Sequence, residues 1–185
     1  MINLSKISLS KYLKLSDEDK EIIDFTISEG LIEREDIIIK KRVYKPISLW
    51  NLRYEDVIFI KDNIESDNFL ECLKVIYQIT QYQIEKASVF NIFSAYQYQI
   101  KQLSEMISIE NEELNSETDP DENAAGIDMF EKYGFYNEIR SLTGGDKTKE
   151  NFYKNLPYIE IFMELTYKSN LIKFEKKLND IKDKK

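Results

Sequence analysis

Val89, Phe93, Tyr96, Ile100, Leu103 and Ile107 recur at spacings of 4, 3, 4, 3 and 4. A strand would scatter these residues over both faces, because its side chains alternate with a period of two. An α-helix puts all six on one face as a heptad seam. The spacing therefore predicts a helix from about Glu85 to Leu114, long enough to be the central helix of a bundle. A second helix is expected just upstream, from an N-cap at Asp67 to about Gln81, with Phe69, Leu73, Ile76 and Thr80 on one stripe. The interleaved Tyr and Gln residues between Tyr77 and Gln102 give these helices a polar-aromatic surface suited to protein contacts.

Upstream the pattern is weaker. Residues 1–15 alternate loosely and read as a short strand followed by one helical turn. Ser16 precedes Asp17, Glu18 and Asp19, an N-cap followed by acids that favour the positive end of a helix dipole. Gly30 is the expected stop. Then Ile37, Ile38, Ile39, Val43 and Tyr44 form a β-branched and aromatic run, which favours a strand or hairpin arm. Lys40, Lys41, Arg42 and Lys45 make a local basic cluster there. It reads as a solvated edge, with contact to an acidic partner surface as the functional alternative. A short helix is expected over Trp50 to Lys61, with Trp50 as a core anchor or an interface residue.

Composition agrees with long regular elements. Only five Gly and three Pro occur in 185 residues, too few for a turn-rich β fold, while ten Phe and twelve Tyr supply a core. The expected fold is mainly α: a helical bundle of about five to seven helices with a small β element near residues 31–47. The run Glu110 to Asn123 holds seven acids, no base and Pro120, and reads as an exposed linker. Three parts are expected: 1–115 with the small β segment and long helices, an acidic linker at 116–123, and a C-terminal helical module at 124–185.

Several chemistries are excluded. The chain has no histidine, which removes Ser-His-Asp, Cys-His and His-metal sites. No Walker or GxGxxG spacing is present. The run Glu110 to Asn123 lacks the offsets and central Gly of a calcium loop. Cys72 is the single cysteine and reads as a buried thiol. The net charge of -8 argues against nucleic acid as a partner. No apolar run reaches membrane-spanning length and no secretory leader pattern opens the chain, so no membrane partner is expected. No catalytic residue, metal or cofactor is expected.

The C-terminal module reads as short helices over 124–132 and 135–142, a stop at Gly144-Gly145, a cap at Asp146 or Thr148, a helix through Tyr153, and a long helix opened by Pro157. That last helix carries Ile159, Met163, Tyr167, Leu171, Phe174, Leu178 and Ile181 on one stripe. The order Ile139-x-x-Leu142-Thr143-Gly144-Gly145-Asp146, then Lys149, then Leu156-Pro157-Tyr158-x-x-Ile161-Phe162-x-x-Leu165 resembles the C-terminal pattern of bacteriophage tail assembly chaperone-type proteins. The resemblance covers 47–172 in layout and 139–165 in motif. The strand-like N-terminal segment and the acidic insertion depart from it.

The resemblance implies a non-enzymatic phage assembly or virion structural protein, of the tail or head–tail junction. Its partners would be other phage structural or tail proteins, with self-association also open. It would work in the host cytoplasm during assembly, or in the virion. Phe135, Tyr136, Phe152, Tyr153 and Tyr158 are the candidate contact residues, because this segment holds more aromatics than its short helices can readily bury. Gly144, Gly145 and Asp146 are turn and cap residues. An acidic inhibitor or DNA mimic is the alternative, motivated by a pI near 4.8. A carboxylate-metal enzyme is a third reading.

Overall fold

The computed structural model describes residues 7–30, 34–114, 129 and 132–183. The fold is mainly α with a two-stranded antiparallel sheet near the N-terminus. Among the described residues the α-helices are α1 (Leu9–Tyr12), α2 (Asp17–Gly30), α3 (Tyr54–Asn63), α4 (Phe69–Tyr77), α5 (Gln81–Lys86), α6 (Val89–Leu114), α7 (Gly134–Thr143), α8 (Glu150–Asn155) and α9 (Tyr158–Asp183). These nine exceed the five to seven expected because three of them, α1, α5 and α8, have only four to six residues. The strands are β1 (Ile37–Ile39) and β2 (Arg42–Tyr44).

The chain forms two compact units, Met1–Leu49 with Phe59–Glu105, and Trp50–Ile58 with Met106–Lys185. The division falls inside α3 and inside α6. The stretch 116–123, expected to be a linker, and the short helix expected at 124–132 lie outside the described residues, save for Met129 and Lys132.

In the first unit, Ser16 caps α2 as expected, its hydroxyl accepting the backbone N–H of Asp19 at 3.3 Å. Residues 8–9 are held against the entrance of α6: Ser8 pairs with Ser88, and the Leu9 N–H donates to the Ala87 carbonyl at 2.9 Å. The hairpin has the register Ile37–Tyr44, Ile38–Val43 and Ile39–Arg42. Its period of two turns Ile37 and Ile39 inward and leaves Ile38 exposed.

Three expected boundaries are corrected. The helix beginning near residue 67 starts at Phe69, with Asn68 rather than Asp67 at its N-cap. It ends at Tyr77, because Gln78 takes a left-handed conformation with φ +50°. Thr80 and Gln83 then form a reciprocal capping box, which opens the separate helix α5. The long helix consequently starts at Val89 rather than Glu85. The two expected helices thus become three.

The seam on α6 is also rotated from the expected one. Val89, Ile92, Ala95, Leu103 and Met106 are buried, whereas Phe93, Tyr96 and Ile100 are half-buried and Ile107 is exposed. Ser94, Gln99 and Glu110 are buried polar residues on this helix. Gln99 Nε2 donates to the Tyr77 hydroxyl at 3.2 Å, and that hydroxyl donates to the Glu35 carbonyl at 2.5 Å. Burial of the Tyr77 ring raises its phenol pKa well above the ordinary range. Phe93 and Tyr96 pack around Phe69, with ring centroids 6.0 and 5.0 Å away. Cys72 is buried, and desolvation pushes its thiol up to about 11.

The second unit is built on aromatic rings and two tyrosine–glutamate hydrogen bonds. Trp50 lies on a 3₁₀ turn (Leu49–Asn51) and packs against Tyr158 and Phe162 at 5.8 and 5.0 Å. Tyr54 stacks on Tyr158 at 5.8 Å and tilts against Phe135 at 5.3 Å. The backbones of the two segments are tied directly. The Tyr158 N–H donates to the Leu52 carbonyl at 2.8 Å, and the Tyr54 N–H donates to the Leu156 carbonyl at 2.9 Å. The expected helix stop is present: Gly144 and Gly145 have φ of +62° and +83°, a region that costs a side-chain-bearing residue energy.

Candidate functional site

The aromatic residues singled out in the C-terminal module separate into two groups. Tyr158 is buried at the start of α9, and its hydroxyl donates to Glu110 at 2.6 Å. Phe135 is half-buried against Tyr54, with the Lys154 ammonium 5.8 Å from its ring centroid. Tyr153 is half-buried, its ring edge-on to Phe152 at 5.4 Å. Tyr136 and Phe152 are exposed. These two are therefore the members of the set that present large apolar area to solvent.

Tyr158 and Tyr54 show why part of the set turns inward. Tyr54 donates its hydroxyl to Glu138, as Tyr158 does to Glu110. A buried phenol needs a partner for its hydroxyl, and a carboxylate supplies a strong one. Burial first, and the glutamates second, raise both phenols far above their ordinary pKa. Glu138 and Glu110 stand at distant points of the chain from the tyrosines they accept from, so no local spacing announces the pairs.

Gly144, Gly145 and Asp146 form a turn with a defined mechanical role. The Gly145 N–H donates back to the Arg140 carbonyl at 3.0 Å and closes α7. The Asp146 carboxylate accepts from the Thr148 N–H at 2.9 Å and from its hydroxyl at 2.7 Å, capping the 3₁₀ turn Lys147–Lys149. These Thr148 bonds hold the Asp146 carboxyl below its usual range. Two helix ends are thus satisfied within a few residues.

An extended line of exposed apolar side chains lies on α9. Met163, Tyr167, Leu171, Phe174, Leu178 and Ile181, all on the stripe read from the sequence, are exposed, and Ile159 at its start is half-buried. The side of α9 that packs within its unit is a different one, carrying Tyr158, Ile161, Phe162 and Leu165. The sequence shows the stripe but gives no means of telling that it stays uncovered. Exposed apolar area along one helix is a feature shared with protein-contact surfaces in general.

A second, cationic surface lies in the first unit. Lys40, Arg42 and Lys86 line a cleft of about 580 Å³ together with Tyr44, Tyr82 and Gln83. Gln83 Nε2 donates to the Tyr44 hydroxyl at 3.0 Å and fixes that wall. A smaller recess of about 190 Å³ shares Lys40 and Lys86. Lys40 and Arg42 form no ion pair with any described residue, and Lys86 lies 5.3 Å from the Tyr82 ring centroid. The hairpin turn is made by Lys40 and Lys41 at φ +48° and +70°. That two-residue turn normally takes Asn-Gly, and lysines there cost energy. The basic cluster noticed in the sequence is therefore partly a strained turn, and α5 contributes Tyr82 and Lys86, which sequence reading did not connect to it.

Among the described residues, no group of three or more His, Cys, Asp or Glu side chains could hold a metal ion. No helix among them is long and apolar enough to cross a membrane. Comparison with protein families, with curated proteins and with solved structures gives no match to this chain.

Proposed function

We propose that the protein is a non-enzymatic assembly or structural protein of a bacteriophage, of the tail or head–tail junction, that works through contacts with other phage proteins. The observation that carries the contact role is the exposed apolar stripe on α9. A protein in water gains nothing by displaying six large apolar side chains on one stripe of a helix unless another surface covers them. Exposed Tyr136 and Phe152 add aromatic area in the same unit. The cleft at Lys40, Arg42 and Lys86 offers cations to an acidic partner surface. The assignment to phage assembly rests on the Gly-Gly-Asp turn followed by the Pro157-Tyr158 helix start.

Proteomics of purified particles beside infected-cell lysate tests the reading. Fixed stoichiometry in the particle supports a structural role. Recovery from lysate only, bound to a tail protein, supports a chaperone. Absence from particles together with absence of any bound phage protein overturns the proposal.

A further inference from the structure

On α9, Tyr167, Leu171, Phe174, Leu178 and Ile181 follow spacings of 4, 3, 4 and 3, which is the seam of a coiled coil. They are 66%, 42%, 61%, 38% and 57% exposed. Over the first half of the helix the other side is tied down: Ile161 is buried, and Lys168 Nζ donates to the Ser141 carbonyl at 2.7 Å, while from Phe174 to Lys182 every residue is exposed. From the protein-contact reading above, on which this step rests, we infer that α9 pairs antiparallel with α9 of a second copy of the chain. Leu171 then faces Phe174 of the second copy, and Tyr167 faces its Leu178.

Charge favours a second copy as the occupant. The chain as a whole carries -8, so most of its surface repels itself. Helix α9 is balanced, with Lys168, Lys173, Lys176, Lys177 and Lys182 against Glu160, Glu164, Glu175, Asp180 and Asp183. Two copies of this helix can meet without net repulsion. The flanking positions also select the direction. With Tyr167, Phe174 and Ile181 at one seam position and Leu171 and Leu178 at the other, parallel pairing sets Lys177 beside Lys182 of the second helix, twice by symmetry. Antiparallel pairing about the midpoint of 172 and 173 instead sets Lys168 beside Glu175 of the second helix, also twice. Lys168 spends one ammonium hydrogen on Ser141 and has two left for this contact.

Area is adequate as well. Covering the five seam residues and the flanking Met163 would remove roughly 600 Å² per copy, or about 1,200 Å² in total, the lower end of stable, specific interfaces.

Sedimentation equilibrium of the full chain tests this. The expected species at micromolar concentration is a dimer of twice the 22.0 kDa chain mass. Leu171→Glu with Phe174→Glu should give a monomer with an unchanged circular dichroism spectrum, since both residues are exposed. Glu175→Lys should weaken the dimer about tenfold or more, and adding Lys168→Glu should restore it, because the exchange rebuilds the same pairs. A monomeric wild type, or a dimer that survives the double Glu variant, overturns the inference. A dimer indifferent to Glu175→Lys overturns the antiparallel arrangement. A monomeric wild type that still captures phage proteins through this stripe would sink the self-pairing alone and leave the proposed function standing.

Discussion

Helices α6 and α9 are both 26 residues long, and both carry apolar residues at heptad spacing. Their fates differ. Along α6 the buried line runs through Val89, Ile92, Ala95, Leu103 and Met106, and even Ser94 and Gln99 are taken inside. Along α9 only Tyr158 and Ile161 are buried, and the stripe from Met163 to Ile181 faces solvent. Periodicity therefore reports that a helix forms and which residues share a face. It does not report what covers that face. On α6 the face is closed by other elements of the chain, and on α9 no described element closes it.

The comparison can be broken most directly at Ile92, which has no exposed surface. Ile92→Ala should cost about 2–5 kcal/mol, the scale for deleting a buried aliphatic side chain and leaving a cavity. Urea unfolding measures it. A loss comparable to that of a surface substitution would mean that α6 is not the packed helix described.

Next in size is Tyr158→Phe, at the anchored start of α9. It removes the hydroxyl that donates to Glu110, and hydrogen bonds to charged groups contribute about 1.5–3 kcal/mol. The same phenols predict a pH dependence. Burial raises Tyr54, Tyr77 and Tyr158 above the ordinary tyrosine pKa of about 10. The folded state keeps these protons when the unfolded chain releases them. Their contribution is thus complete below about pH 10 and falls as pH rises beyond it. Alkaline titration followed by tyrosinate absorbance and circular dichroism should show ionisation of the buried rings together with unfolding. Free ionisation in an intact fold would contradict their burial.

A smaller effect is expected at Gly144. A Cβ there would meet nothing within 4 Å, so the cost of Gly144→Ala is conformational only. With φ at +62°, about 1 kcal/mol is expected. A neutral result would show that the turn between α7 and α8 is looser than its hydrogen bonds imply.

These sites also mark what the sequence made legible. The cap at Ser16, the hairpin alternation at Ile37 to Ile39 and the Gly144-Gly145 stop are local, and local rules of capping, pleat and left-handed backbone are enough to find them. The split of the Phe69 to Leu114 region at Gln78 and Thr80 was not legible. Gln seldom takes φ above zero, and the capping box from Thr80 to Gln83 lay inside an otherwise helical pattern. The rotated seam on α6 was hidden because Gln99 and Glu110 are polar, and their burial depends on tyrosines far away in sequence. Of the candidate surface, Tyr136 and Phe152 were visible as aromatics, but the inward turn of Tyr158 and Phe135 depends on Tyr54, Trp50 and Glu110. The cationic cleft needed Lys86 brought beside Lys40, which only the tertiary fold does.

The smallest effect on the isolated fold, and the one that sharpens the comparison furthest, is expected on the bare face of α9. Leu171→Ala should change stability by no more than about 0.5 kcal/mol in dilute protein, since an exposed leucine leaves no cavity. Concentration should then separate the two helices. If α9 pairs with a second copy, the melting temperature of the wild type rises with protein concentration, because association stabilises only the folded state. Ile92→Ala should melt lower at every concentration yet keep that rise, because its damage is inside the chain. Leu171→Ala should match the wild type when dilute and lose much of the rise when concentrated, because its damage appears only on pairing. Calorimetry over a hundredfold range of concentration distinguishes these patterns. A rise retained in full by Leu171→Ala would place the contact on some face other than the α9 stripe.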